Sequence, residues 1–80
     1  MYERRKVMIE VRLFATLREG RGKMVMLPAE DFSNAAAIIR HLNIPPEEVA
    51  ILLINGFHNK TDAEVKSGDV VAIFPPVGGG

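Results

Sequence analysis

Residues 7–14 alternate between two sets of side chains. Val7, Ile9, Val11 and Leu13 have one parity; Met8, Glu10, Arg12 and Phe14 have the other. A period of two with β-branched residues predicts a half-buried strand, with the first set as its core face. A lone strand cannot hide an apolar face, so it needs partner strands and a covering layer. The chain offers one strongly helical stripe for that layer: Ala35, Ile38, Ile39 and Leu42. One helix packed across one face of a mixed sheet is the arrangement these patterns demand, an α+β fold.

The other elements follow from local signals. Residues 16–22 are polar with two glycines and predict a loop, followed by a second strand at Lys23–Leu27 that Pro28 ends. The two strands are expected to form a hairpin with a long loop. Asp31 and Ser33 are candidate helix N-caps. Asn43 is suited to closing the helix in a left-handed conformation, and Pro45-Pro46 prevents its continuation. Pro46-Glu47-Glu48 reads as a single turn, and Ala50–Ile54 as a buried strand. Asn55-Gly56 predicts a type I′ hairpin, which needs positive φ at both positions. Residues 57–60 would be a short return strand, Ser67-Gly68-Asp69 a turn, and Val70–Phe74 the last strand. The expected order is β-β-α-β-β-β.

Eighty residues make one domain. A chain of that size buries about 60–65% of its unfolded surface, which leaves no room for a deep private catalytic pocket. The formal net charge is zero, so no global field draws it to nucleic acid or to an acidic membrane. With no cysteine it has no disulfide framework, Cys-based zinc site or cysteine nucleophile. Its longest apolar runs are too short to span a bilayer. No signal-like apolar stretch follows the charged Met1–Lys6, and the expected compartment is the cytoplasm. Residues 1–6 read as a solvated lead-in, 7–76 as the domain and 77–80 as a flexible tail.

That tail, Val77-Gly78-Gly79-Gly80, carries the functional signal. Three glycines pack nothing and cost entropy when ordered. They do present the α-carboxylate of Gly80 on a thin arm, able to thread a narrow site on another protein. Parity on the last strand sends Val71 and Ile73 towards the helix and Phe74 outward, like Phe14. If the first and last strands are neighbours, Phe14 and Phe74 lie together on the exposed sheet face, a patch of the kind that marks an interaction site. Pro75 and Pro76 hold the exit stiff. The four residues beyond them reach about 13 Å when extended.

Residues 7–15 (VMIEVRLFA) and 67–80 (SGDVVAIFPPVGGG) resemble the opening strand and the ending of the MoaD/ThiS family of sulfur carriers. The likeness is strongest to the MoaD type, the small subunit of molybdopterin synthase. It rests chiefly on the Gly-Asp turn, the Phe-Pro-Pro-Val run and the terminal Gly-Gly. Asn55-Gly56 falls where that family has an Asn-containing turn. The resemblance implies a β-grasp, or ubiquitin-like, fold. It implies that an E1-like adenylyltransferase of the MoeB/ThiF type, using ATP, adenylates the Gly80 carboxylate. Sulfur then replaces the adenylate, and the Gly80 thiocarboxylate donates sulfur to a pterin precursor. It also implies a MoaE-type large subunit, in a heterotetramer, that receives Val77, Gly78 and Gly79 in its active site. The docking face read from strand parity, Phe14 and Phe74 with Pro75 and Pro76, would meet these partners, with His58 of the short return strand at its border. The carrier would be a monomer alone, with no bound cofactor or metal and no complete active site of its own. Two alternatives remain: a ThiS-type carrier for thiamin thiazole synthesis, or a ubiquitin-like modifier or binding module without sulfur chemistry. Carriers of the ThiS type generally lack Phe-Pro-Pro, which ranks that reading second.

Other features have plain readings. His41 is an ordinary helix-end residue, and two isolated histidines do not make a metal site. Gly20-Arg21-Gly22-Lys23 lacks the spacing of a phosphate loop and reads as a turn. Arg4-Arg5-Lys6 is a solvated basic end and Glu47-Glu48 a charged helix start. A homodimer burying Phe14 and Phe74 is the competing account of the exposed aromatic pair.

Overall fold

The computed structural model describes residues 7–77. Five strands form one mixed sheet: β1 (Met8–Leu13), β2 (Met24–Pro28), β3 (Ile51–Ile54), β4 (Phe57–His58) and β5 (Val70–Phe74), in the order β2-β1-β5-β3-β4. β1 and β5 run parallel at the centre, and every other pairing is antiparallel. A single helix, α1 (Ala35–His41), lies across one face. One helix across one face of a mixed sheet is what the alternation and the single helical stripe demanded, and the arrangement is that of the β-grasp fold the resemblance implied.

The core is built from one parity of each central strand. Ile9, Val11 and Leu13 of β1, Leu52 and Ile54 of β3, and Val71 and Ile73 of β5 are buried against Ala35, Ile38 and Ile39 of α1. Two expectations need correction here. Val7 is 48% exposed, because the ladder begins at the Met8–Pro28 pair and Val7 lies beyond it. β3 is buried on one side only. Leu52 and Ile54 enter the core while Ile51 and Leu53 point to the uncovered face, since the one helix covers a single side.

The loop after β1 is more structured than its polarity suggested. Residues 15–18 form a 3-10 turn that drives Leu17 fully into the core. Ala15 enters that turn at φ +54, a left-handed conformation costly for any residue with a Cβ.

α1 begins one residue later than expected. Asn34, rather than Asp31 or Ser33, is the N-cap, and its Oδ1 accepts from the Ala37 N–H at 2.9 Å. Asp31 sits in a separate 3-10 turn, and the Ser33 carbonyl is engaged by the Val65 N–H. The amides of Ala35 and Ala36 donate to the carbonyls of Ala63 and Thr61. At the other end Asn43 is left-handed (φ +59), as its position predicted. The Ile44 N–H donates to Ile39 O and the Asn43 N–H to Arg40 O, the paired bonds of a Schellman motif.

Arg21 completes this terminus from a distance. Its Nε donates to Leu42 O at 2.9 Å, Nη2 to Asn43 O at 3.0 Å and Nη1 to Leu17 O at 3.1 Å. The turn reading of residues 20–23 holds, with Gly20 and Gly22 at positive φ. The arginine inside it ties the long β1–β2 loop to the carbonyl end of α1, where a cation is favoured by the helix dipole.

The Asn55-Gly56 turn has φ +53 and +86, as type I′ requires. The return strand β4 is shorter than residues 57–60: only Phe57 and His58 pair with β3. Asn55 also fastens β5, because its Oδ1 accepts from the Val70 N–H and its Nδ2 donates to Asp69 Oδ1.

Candidate functional site

The sheet face opposite α1 is the candidate site, and its layout follows from the strand register. Arg12 pairs with Ala72 and with Met24, Ala72 with Leu53, and Leu53 with His58. Directly paired residues share a face, so these five form one outward row across the sheet. Glu10, Met26 and Val70 form a second row. At the end where the chain leaves, Phe74 pairs with Ile51 in the ladder, and Phe14 lies against it on the β1 side.

The two aromatics meet as parity and adjacency predicted. Their rings stack with centroids 4.2 Å apart and planes 10° from parallel. Each is half-buried, because each covers the other. Sequence reasoning missed the group that completes them. The Arg18 guanidinium carbon lies over the Phe14 ring, 5.4 Å from its centroid, and Arg18 Nε donates to Leu13 O at 2.9 Å. Arg18 carried no distinguishing sequence signal. It reaches the ring only because the 3-10 turn after Phe14 folds back over the end of β1.

Around this pair the open face is apolar and accessible. Met24 is 53% exposed, Met26 46% and Ile51 40%. The charges within it, Glu10 and Arg12, pair with each other through Oε2 and Nε. The face therefore presents apolar surface in which Glu10 and Arg12 offset each other, with the Arg18 cation at its aromatic end.

Pro75 is half-buried, Pro76 exposed, and Val77 almost fully exposed at 96%. The chain thus leaves the sheet at the aromatic stack. Gly78, Gly79 and Gly80 lie outside the described residues. His58 shares the open face but sits on the edge strand, in the row of Leu53, and does not join the aromatic stack. His41 packs edge-on against Phe32, 5.2 Å between centroids, away from the face.

Among the described residues, no group of three or more His, Cys, Asp or Glu side chains is arranged to hold a metal ion. No helix among them is long and apolar enough to cross a membrane. A groove of ≈ 420 Å³ lies beside α1, lined by residues such as Ile39, Ile44, Pro45 and Pro46. It carries no catalytic grouping. What the open face offers is an apolar platform for recognition beside the base of the tail.

Comparison with known proteins places this arrangement. The ThiS family model matches residues 11–80. The molybdopterin synthase sulfur carrier subunit of Haemophilus influenzae is 36% identical over 81 residues, covering 91% of this chain and all of that protein. The solution structure of the Haloferax volcanii HVO 2177 protein superposes with a TM-score of 0.71 at 26% identity, covering 100% of this chain and 92% of that one. Subunit 1 or 2 in the Helicobacter pylori molybdopterin-converting factor complex gives a TM-score of 0.59 at 24% identity, over 91% of this chain and 99% of that chain, a likeness of fold. With a family model spanning most of its length and a full-length relative above a third identical, the chain belongs to the ThiS family of small β-grasp proteins.

Proposed function

We propose that this protein is a sulfur carrier of the MoaD type and acts as the small, sulfur-donating subunit of a molybdopterin synthase. The observation that carries the reading is full-length similarity to a sulfur carrier subunit of that enzyme. The stacked Phe14–Phe74 pair at the base of a Pro-Pro-Val-Gly-Gly-Gly ending supports it. A carboxylate is a poor electrophile. An E1-like adenylyltransferase, consuming ATP, would convert the Gly80 carboxylate into a mixed anhydride with AMP and release pyrophosphate. Sulfur would displace AMP and leave a thiocarboxylate, a nucleophilic sulfur donor on a tether.

The domain's own contribution is positioning. The open face docks, Pro75-Pro76 keep the exit stiff, and residues 77–80 enter the partner's site. Acid–base groups for sulfur transfer into the pterin precursor would belong to a MoaE-type large subunit. The Helicobacter pylori protein of the same fold occurs in a two-subunit complex. The open apolar face here is the surface such a subunit would cover. The cytoplasm is the compartment that fits this role.

Intact mass of the protein from its native cells, with fragmentation from the C-terminus, tests the reading. Replacement of one oxygen by sulfur at Gly80 is the expected result. A chain lacking Gly80 should stay folded and accept no sulfur. A deletion variant that still accepts sulfur, or lysine-linked conjugates on other proteins in place of a thiocarboxylate, would overturn it.

A further inference from the structure

We propose that Arg18 is a positioning residue: it holds the Phe14 ring against Phe74 and so shapes the surface at the base of the tail, where an activating enzyme that must reach Gly80 along residues 77–80 has to seat before the large subunit takes its place. The docking half of this inference rests on the sulfur-carrier reading; the hold on Phe14 does not.

Three observations converge on Arg18. First, a cation lies over one ring of a close, near-parallel pair: the Phe14 and Phe74 centroids are 4.2 Å apart, and the Arg18 guanidinium carbon is 5.4 Å from the Phe14 centroid. A cation so placed is attracted by the ring quadrupole. Second, the guanidinium is aimed rather than loose. Its Nε is fixed on Leu13 O, the carbonyl immediately before Phe14. Third, the backbone accepts strain to bring it there. Ala15, at φ +54, turns the chain sharply after Phe14, Leu17 anchors the turn in the core, and Arg18 arrives back above the ring. Strain held beside a binding surface is a recurrent form of pre-organisation. Phe74 is the last residue of β5, and Pro75 follows it directly, so the ring that Arg18 steadies through Phe14 stands where the tail departs.

A planar guanidinium holds Leu13 O through Nε while its carbon lies over the ring; lysine keeps the charge on a flexible stem but has no Nε there and loses that fixed geometry. Lysine therefore separates this role from a simple charge contact with the partner. The test uses the full chain with Arg18→Gln, Arg18→Lys and Phe14→Leu. Ring-proton NMR resonances report the stack, and ATP–pyrophosphate exchange with the activating enzyme reports docking.

Expected in both Arg18 variants is a loss of the mutual ring-current shifts of Phe14 and Phe74. With it, KM for the carrier rises roughly three- to tenfold and kcat stays within a factor of about two. In the Phe14→Leu background, adding Arg18→Gln should raise KM no further. Unchanged ring resonances in Arg18→Gln would overturn the proposal. So would full recovery of KM by Arg18→Lys, which would assign Arg18 to a direct charge contact. If the parent chain itself supports no exchange, the sulfur-carrier reading falls, and the ring resonances alone decide whether Arg18 positions Phe14.

Discussion

Arg21→Ala should be among the most damaging substitutions at a position that is not apolar core. Three donors of one guanidinium reach the carbonyls of Leu17, Leu42 and Asn43. Asn43 is exposed, so water replaces that bond at little cost. Leu17 is buried and Leu42 half-buried, and their carbonyls lose charged donors where water enters poorly. At about 1 kcal/mol net for each of those two bonds, plus about 0.5 for the charge at the helix end, the gross loss is about 2.5 kcal/mol. Ordering an arginine side chain costs up to about 2 kcal/mol, part of which is recovered on truncation. The expected net destabilisation is about 1–2 kcal/mol.

For a domain of this size that lowers Tm by roughly 5–12 °C. Urea unfolding followed by circular dichroism, with m held equal between variants, measures it directly. Arg21→Lys keeps the charge but loses the fork, and should recover less than half the loss. Arg40→Ala, an exposed arginine on the last turn of α1 with no side-chain hydrogen bond among the described residues, is the control and should fall within about 0.5 kcal/mol of the parent. An Arg21→Ala variant as stable as that control would refute the clamp. Full rescue by lysine would reduce it to a charge effect.

Phe74→Ala should weaken binding of the large subunit and cost less than about 1.5 kcal/mol of stability, since the ring is half-buried on the open face. A collapse of Tm in that variant would mean the ring is core and the outward register is wrong. Asn55→Ala removes two side-chain hydrogen bonds to the start of β5 and places alanine at φ +53; a loss of about 1–2 kcal/mol is expected by chemical denaturation. Asn55→Gly, which relieves the φ penalty but not the lost bonds, should fall between alanine and the parent.

The candidate site was legible to the extent that it depends on parity. Phe14 and Phe74 are each outward by alternation, and the only further step was that the first and last strands are neighbours, which the β1–β5 pairing bears out. Arg18 was not legible, because its reach depends on the backbone reversal at Ala15 and no pattern in the loop encodes that reversal. Leu17 was hidden for the same reason. One apolar residue among polar ones has no period, and only the closed fold shows that the turn dips beneath it.

What is local and periodic in this fold can be read along the chain. Residues 7–14 alternate as a half-buried strand, residues 35–42 carry one apolar helix stripe, and Asn43 and Asn55-Gly56 mark where the backbone turns left-handed. These are properties of a few consecutive residues, set by sterics and by which side chains avoid water. Which outward residues stay uncovered depends on how the elements pack. Packing made Ile51 and Leu53 surface rather than core because one helix shields one side of the sheet. It also chose Asn34 as the cap and brought Arg21 to the end of α1 across 21 positions of sequence. Those outcomes depend on carbonyls, rings and charges that meet only after distant segments have packed, so no window of the chain contains them.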